Sequence, residues 1–281
     1  MMQTGTAANV ELWSGKGRTQ ENFPVGSILI RPALRRHVHA FYRFARNADD
    51  IADSPALSPD EKLARLAVME AVLTGRQETG SPSAAGLRQS LAATGVPVRH
   101  SQALLAAFRQ DAVQSRYADW EALLDYCRHS AMPVGRHVLD LHRESRETWP
   151  ASDALCAALQ VLNHLQDVAS DLTALNRCYL PLDLLARHGA QIDDVRAPAE
   201  TRALRGVFAD LLAQCDTLND TASALPRLVS DRRLRIETGV IHGLARRLAR
   251  RLRTGDPLAT RVKLKGADVV ASILGALRFV A

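Results

Sequence analysis

Apolar residues recur along most of this chain at the three- and four-residue spacing of a helix face. They almost never alternate as a strand requires. From Pro32 to Asp53, Leu34, Val38, Phe41, Ala45 and Ala48 form one such stripe. Pro32 stands where a missing N–H costs little, and Ser54-Pro55 closes the segment. Ser58-Pro59-Asp60-Glu61 reads as the cap of a second helix ending near Leu73. Between Thr74 and Pro97, the glycines, prolines and serines (among them Gly75, Gly80, Ser81, Pro82 and Gly95) predict a loop holding at most a short helix. Helical spacing resumes near 99–115, 119–145, 151–173, 201–223, 231–253 and 257–279. Residues 1–20 read as a loose leader and 21–281 as a single all-α domain without a fixed-period repeat.

Composition changes this picture little. Hydrophobic residues make up 47% of the 281 and charged residues 23%, an ordinary globular balance. Cys127, Cys156, Cys178 and Cys215 form no CxxC pair and predict reduced thiols in a cytosolic protein. No N-terminal apolar segment resembles a signal peptide, and no apolar run reaches the roughly 18 residues of a membrane span. A cytoplasmic chain, at most peripheral at the inner membrane surface, is expected. The net charge of +6 owes much to arginines between 232 and 253. No nucleic-acid motif accompanies them, so nucleic acid is not an expected partner. The membrane-contact reading rests on helix 244–253 and the apolar tail. Packing of that tail as the last core helix is the favoured alternative.

Two acidic segments change the picture more. On a helix, Asp49 and Asp53 share a face one turn apart, and Asp50 is rotated by about 100° towards the rim. Asn163, Asp167 and Asp171 form an i, i+4, i+8 row, with Gln160 one turn before Asn163. Both rows lie in apolar surroundings, where a carboxylate needs water or a cation. Magnesium joins one or two carboxylates to substrate phosphates, so two such rows suit a diphosphate. Taken singly, either motif is more often an acidic helix end than a metal site. Two together shift that balance.

Other chemistries lack their signatures. There is no Gly-x-Ser-x-Gly elbow, no His-Glu-x-x-His helix and no Gly-x-Gly-x-x-Gly turn. Ser14-Gly15-Lys16-Gly17 lacks the upstream glycine and following hydroxyl of a phosphate loop. Histidines 37, 39, 137, 142 and 164 show no metal spacing, and His37 and His39 read as ordinary side chains.

Several stretches together resemble the squalene/phytoene synthase family: Glu21-Asn-Phe-Pro-Val-Gly-Ser27, His39 to Asp53, Asp125 to Arg136, Asn163 to Asp171, and Asn176-Arg-Cys-Tyr-Leu-Pro181. The likeness runs from about residue 20 to 279 in the family's order. It implies an all-α terpenoid synthase-type helical bundle with a central active-site cavity. It also implies magnesium binding by Asp49, Asp53, Asn163, Asp167 and Asp171. Arg46, Arg177, Tyr179 and, more weakly, Lys263 would meet the diphosphate. Tyr42, Tyr126 and Gln160 would line the reaction end, and Asn22, Phe23 and Ser27 the entrance. Asp49, Asp53, Asp167, Asp171 and Tyr126 are the expected catalytic set.

Within the family, Glu21-Asn-Phe-Pro-Val25, Gln166 in place of an arginine, and Asp256 to Leu264 are most similar to the bacterial hopanoid-pathway branch that hydrates presqualene diphosphate to hydroxysqualene. The resemblance implies Mg2+ and no nicotinamide, with presqualene diphosphate synthase and hydroxysqualene reductase as functional neighbours. Gln166 removes a positive side chain beside the second row, which fits one diphosphate substrate better than two. The rival activity is head-to-head prenyl synthesis of presqualene diphosphate, squalene or phytoene. The non-enzyme rival is an inactive assembly factor, which intact aspartate rows disfavour.

Overall fold

A computed structural model describes residues 9–12 and 29–279. Helices account for all regular structure there, and no strand occurs among the described residues. The packing divides into two units. The first holds the described residues up to Val113 together with Asp140–His142. The second holds Gln114–Leu139 and the described residues from Arg143 onward.

In the first unit, α1 (Pro32–Asp53) packs against α2 (Pro59–Leu73), α3 (Pro82–Thr94) and α4 (Arg99–Val113). Val38, Phe41, Phe44, Ala48 and Ile51 bury one face of α1, as the stripe predicts. Ser58 and Glu61 form the expected reciprocal cap of α2. The segment read as loop holds a full 13-residue helix, α3. Ser81 accepts a hydrogen bond from the Ala84 N–H, and Gly95 closes the helix in the left-handed conformation at φ 76°. The turn-forming residues that suggested a loop are therefore its two caps. His37 is an ordinary core histidine, with Nδ1 2.8 Å from Ser90 Oγ.

The second unit begins with α5 (Trp120–Ser130). Then comes α6 (Met132–Leu141), whose last residues group with the first unit. The single helix expected over 119–145 is thus two, broken at Ala131. Gly135 serves packing: a Cβ there would collide with Ser152 Oγ and Cys156 Sγ. Arg136 Nε donates to Asp153 at 2.8 Å, and its guanidinium lies over Trp149.

Next are α7 (Trp149–Gln166), α8 (Val168–Leu175), α9 (Leu182–His188) and α10 (Arg202–Ala222). The chain ends in α11 (Leu225–Leu228), α12 (Arg232–Thr254) and α13 (Gly266–Ala276). α9 and α11 fall between the expected helices. α7 lies against α10, and α12 packs on α7, α10 and α13. The helix expected from 257 starts only at Gly266, because Asp256–Lys265 run extended or turning. α13 packs on α12, burying Asp268, Ser272 and Ala276 and leaving Val269, Val270, Ile273 and Leu274 exposed. A Cβ on Gly243 of α12 would meet Ser272 of α13 at 3.0 Å, so glycine permits that approach. No described helix is long and apolar enough to cross a membrane. The four cysteines are all free.

Candidate active site

The first acidic set occupies the last turn of α1. Arg46 Nη1 donates to Asp49 Oδ2 at 2.8 Å and Nη2 to Asp50 Oδ1 at 2.7 Å. Asp50 is not at the rim. It is 5% exposed, because the guanidinium fork supplies the counter-charge and hydrogen bond that a buried carboxylate requires. Asp49 keeps 33% of its side chain exposed. Local burial, then the charge of Asp53, push its carboxyl up to about 8 despite the opposing pull of Arg46. Asp50 and Asp111 push the same way.

Asp111 is a residue that the motif reading missed. Its signal was a lone aspartate on the face that Ala107 buries one turn earlier in α4. Tyr42, partly buried, precedes Arg46 by one turn on α1. Asn22, Phe23 and Ser27 lie outside the described residues.

The second set does not ride one continuous helix. Asp167 ends α7 at φ −107° and opens α8. The spacing survives, because Asp167 N–H donates to the Asn163 carbonyl at 3.0 Å and Asp171 N–H to the Asp167 carbonyl at 2.8 Å. The predicted row is thus present with a kink at its middle member. Asp167 and Asp171 are partly exposed. His164, which the spacing argument set aside, lies between the members. Its Nε2 is 3.0 Å from Gln160 Nε2, and its Nδ1 3.8 Å from Asp171 Oδ2. Its signal was its i, i+4 relation to Gln160.

The segment after α8 is pinned from outside. Asn176 takes the left-handed conformation at φ 51°, which asparagine tolerates. Arg116 donates to the Asn176 carbonyl at 2.6 Å and to Asn176 Oδ1 at 3.0 Å. Cys178 N–H donates to the Ser115 carbonyl and Leu182 N–H to that of Tyr117, each at 3.0 Å. This sets Arg177 and Tyr179, both buried, beside a small cavity that His164 and Asp171 also line. Tyr179 stacks on His164 at 3.5 Å and on Tyr117 at 5.4 Å, and Tyr126 packs on both tyrosines. Tyr126, Gln160, Asp171, Arg177 and Tyr179 therefore form one neighbourhood, joined by the unforeseen His164 and Tyr117.

Beside Asp167 the loss of charge at Gln166 is made good. Gln166 is buried and donates to the Val262 carbonyl at 2.5 Å. That bond holds the 261–263 segment, and Arg261 grips Asp167 through Nε at 2.5 Å and Nη2 at 2.8 Å. The expectation of a missing cation is corrected: Arg261 supplies one from a distant part of the chain. Lys263 is exposed and forms no ion pair among the described residues.

The donors on both sets are hard carboxylate and amide oxygens, the type that magnesium prefers. Among the described residues no three His, Cys, Asp or Glu side chains converge as a closed metal cage. Asp49, raised by burial and then by its acidic neighbours, gains from a further positive charge. Each set by itself fits a cation that completes its shell with water and phosphate oxygens.

The sequence profile of the squalene/phytoene synthase family matches residues 17–268. The chain is 47% identical over 267 residues to the hydroxysqualene synthase of Rhodopseudomonas palustris, covering 95% of this chain and 91% of that one. Among solved structures it is similar to squalene synthase HpnC from Alicyclobacillus acidocaldarius. That match has 33% identity and a TM-score of 0.74, over 84% of this chain and 90% of the other. A dehydrosqualene synthase of 18% identity shares the fold, at a TM-score of 0.78 over 92% of each chain. The fold is the all-α terpenoid synthase fold of these enzymes, and this chain belongs to the squalene/phytoene synthase family.

Proposed function

We propose that this chain converts presqualene diphosphate and water to hydroxysqualene and diphosphate, as a magnesium-dependent carbon–oxygen lyase. The observation that carries the reading is the near-full-length 47% identity to a hydroxysqualene synthase. Asp49 and Asp53 on α1, and Asn163, Asp167 and Asp171 on α7 and α8, are the proposed metal ligands in one catalytic domain. Magnesium, when bound, would supply charge stabilisation to the leaving diphosphate. Arg46 and Arg177 would donate to its oxygens, where guanidinium forks suit phosphate geometry. The carbon–oxygen bond breaks with its electron pair leaving on the diphosphate. Tyr126 would then help to stabilise the carbocation and limit access of water, and Tyr179, stacked between His164 and Tyr117, would cap the diphosphate. One water oxygen bonds to carbon and gives up a proton. No electron is gained or lost, so no nicotinamide takes part.

Gln160 and His164 hold the polar end of the tyrosine cluster, which supports a place for that water. Asn22, Phe23 and Ser27 belong to the substrate entrance in this reading, and Tyr42 to the reaction end. Arg261, on Asp167, and the exposed Lys263 nearby would add positive charge at the diphosphate end. The enzyme is cytoplasmic, between a presqualene diphosphate synthase and a hydroxysqualene reductase. Peripheral contact with the inner membrane surface is supported by the exposed Val270, Leu274 and Leu277 of the C-terminal segment.

A head-to-head prenyl synthase is the second reading, and Arg261 favours it by restoring a cation beside Asp167. The two are separated by supplying magnesium and either presqualene diphosphate or farnesyl diphosphate, without nicotinamide. Diphosphate release from presqualene diphosphate alone supports the proposal. Turnover of farnesyl diphosphate alone sinks it.

A further inference from the structure

Outside both acidic sets, α10, α12 and α13 enclose a cleft of about 510 Å³, within the size range of small-molecule sites. Its α12 wall presents Arg246, Arg250 and Arg253 along one face, with Arg247 beside them. Arg278 approaches from the end of the chain. Like charges at i and i+4 repel, so Arg246 and Arg250 gain nothing from each other.

The acids opposite them, Asp216 and Asp220 of α10, are too few to neutralise the group. Asp216 is held by Arg253, and Asp220 lies 4.0 Å from Arg246. Arg247, Arg250 and Arg278 form no ion pair among the described residues. Arg247 Nε donates only to Ser272 Oγ, at 3.1 Å, and Arg250 Nε only to the Arg246 carbonyl, at 3.4 Å.

A solvated arginine face would explain the charge but not the residue behind it. Asn219 lines the same cleft and is 2% exposed. Neither its amide nitrogen nor its amide oxygen has a hydrogen-bond partner. Its backbone carbonyl accepts from His242 Nε2 at 2.9 Å, so the backbone is fixed while the side-chain amide is left over. A buried amide without partners is costly unless something else satisfies it.

We infer that this cleft is a second anion site, taking a phosphate-bearing group on Arg247, Arg250 and Arg278. Asn219 would bond a neighbouring hydroxyl or ester oxygen of the same ligand. The phosphate could belong to a soluble diphosphate or to a lipid headgroup, since the apolar face of α13 adjoins the cleft. The site is separate from the proposed active site and does not depend on that reading.

The full chain is titrated with inorganic diphosphate in excess chelator by calorimetry. In parallel it is floated with phosphatidylglycerol-containing vesicles against phosphatidylcholine alone. The Arg247→Gln/Arg250→Gln double variant is compared, with its helicity checked by circular dichroism. At least a tenfold loss of diphosphate affinity identifies a soluble ligand. Loss of phosphatidylglycerol-dependent flotation identifies a headgroup. Turnover of presqualene diphosphate should be unchanged in either case. If the native chain binds neither probe, or the folded double variant binds both as tightly as native, the inference is wrong.

Discussion

Asp49 concentrates the electrostatic problem of the first acidic set. Its carboxyl is raised from 3.8 to about 8 by burial and by Asp53. A folded state that holds this proton more tightly than the unfolded chain is favoured at low pH and loses the advantage as pH rises towards 8. The metal-free protein should therefore lose thermal stability between about pH 4 and 8, and Asp49→Asn should flatten that slope. An unchanged slope would show that Asp49 is not the group involved.

Magnesium binding should release a proton near neutral pH, measurable in buffers of different ionisation enthalpy. Asp49→Asn and Asp167→Asn should each lose most turnover, about a hundredfold or more, while keeping native helicity. Arg261 offers a separate test. Arg261→Gln leaves Asp167 without its bidentate partner, and magnesium affinity should rise several-fold as diphosphate affinity falls. If both move together, Arg261 acts through packing.

At the scale of elements, much was legible because capping and periodicity are local. The α1 stripe and the Ser58–Glu61 cap could be read directly from residues a turn or two apart. The kink at Asp167 could not, because the i+4 hydrogen bonds on either side preserve the spacing that periodicity detects. α3 was hidden for the opposite reason: Ser81 and Gly95 look like loop residues until a helix joins them. Arg261 and Tyr117 were illegible because nothing local ties them to Asp167 or Tyr179. Their contacts arise only when the 115–118 segment docks through backbone hydrogen bonds and the 261–263 segment through the Gln166 side chain. Gly243 gives this scale its own test. Gly243→Val would crowd Ser272 and should lower stability by about 1–3 kcal/mol in denaturant unfolding. A neutral result would mean that α13 is free to shift.

For the molecule as a whole, the family signature survived because it is spread over residues 17–268 and does not depend on one motif. Gln166 alone does not decide how many diphosphates the enzyme handles, since Arg261 returns the charge that Gln166 removes. The choice between hydrating one diphosphate and joining two therefore belongs to the product. The most direct measurement is incubation of the purified full chain with presqualene diphosphate and magnesium in 18O-labelled water, without nicotinamide, followed by mass spectrometry. The account predicts hydroxysqualene carrying one 18O atom, with one diphosphate released per alcohol formed. Unlabelled alcohol, squalene, or no consumption of presqualene diphosphate would contradict it.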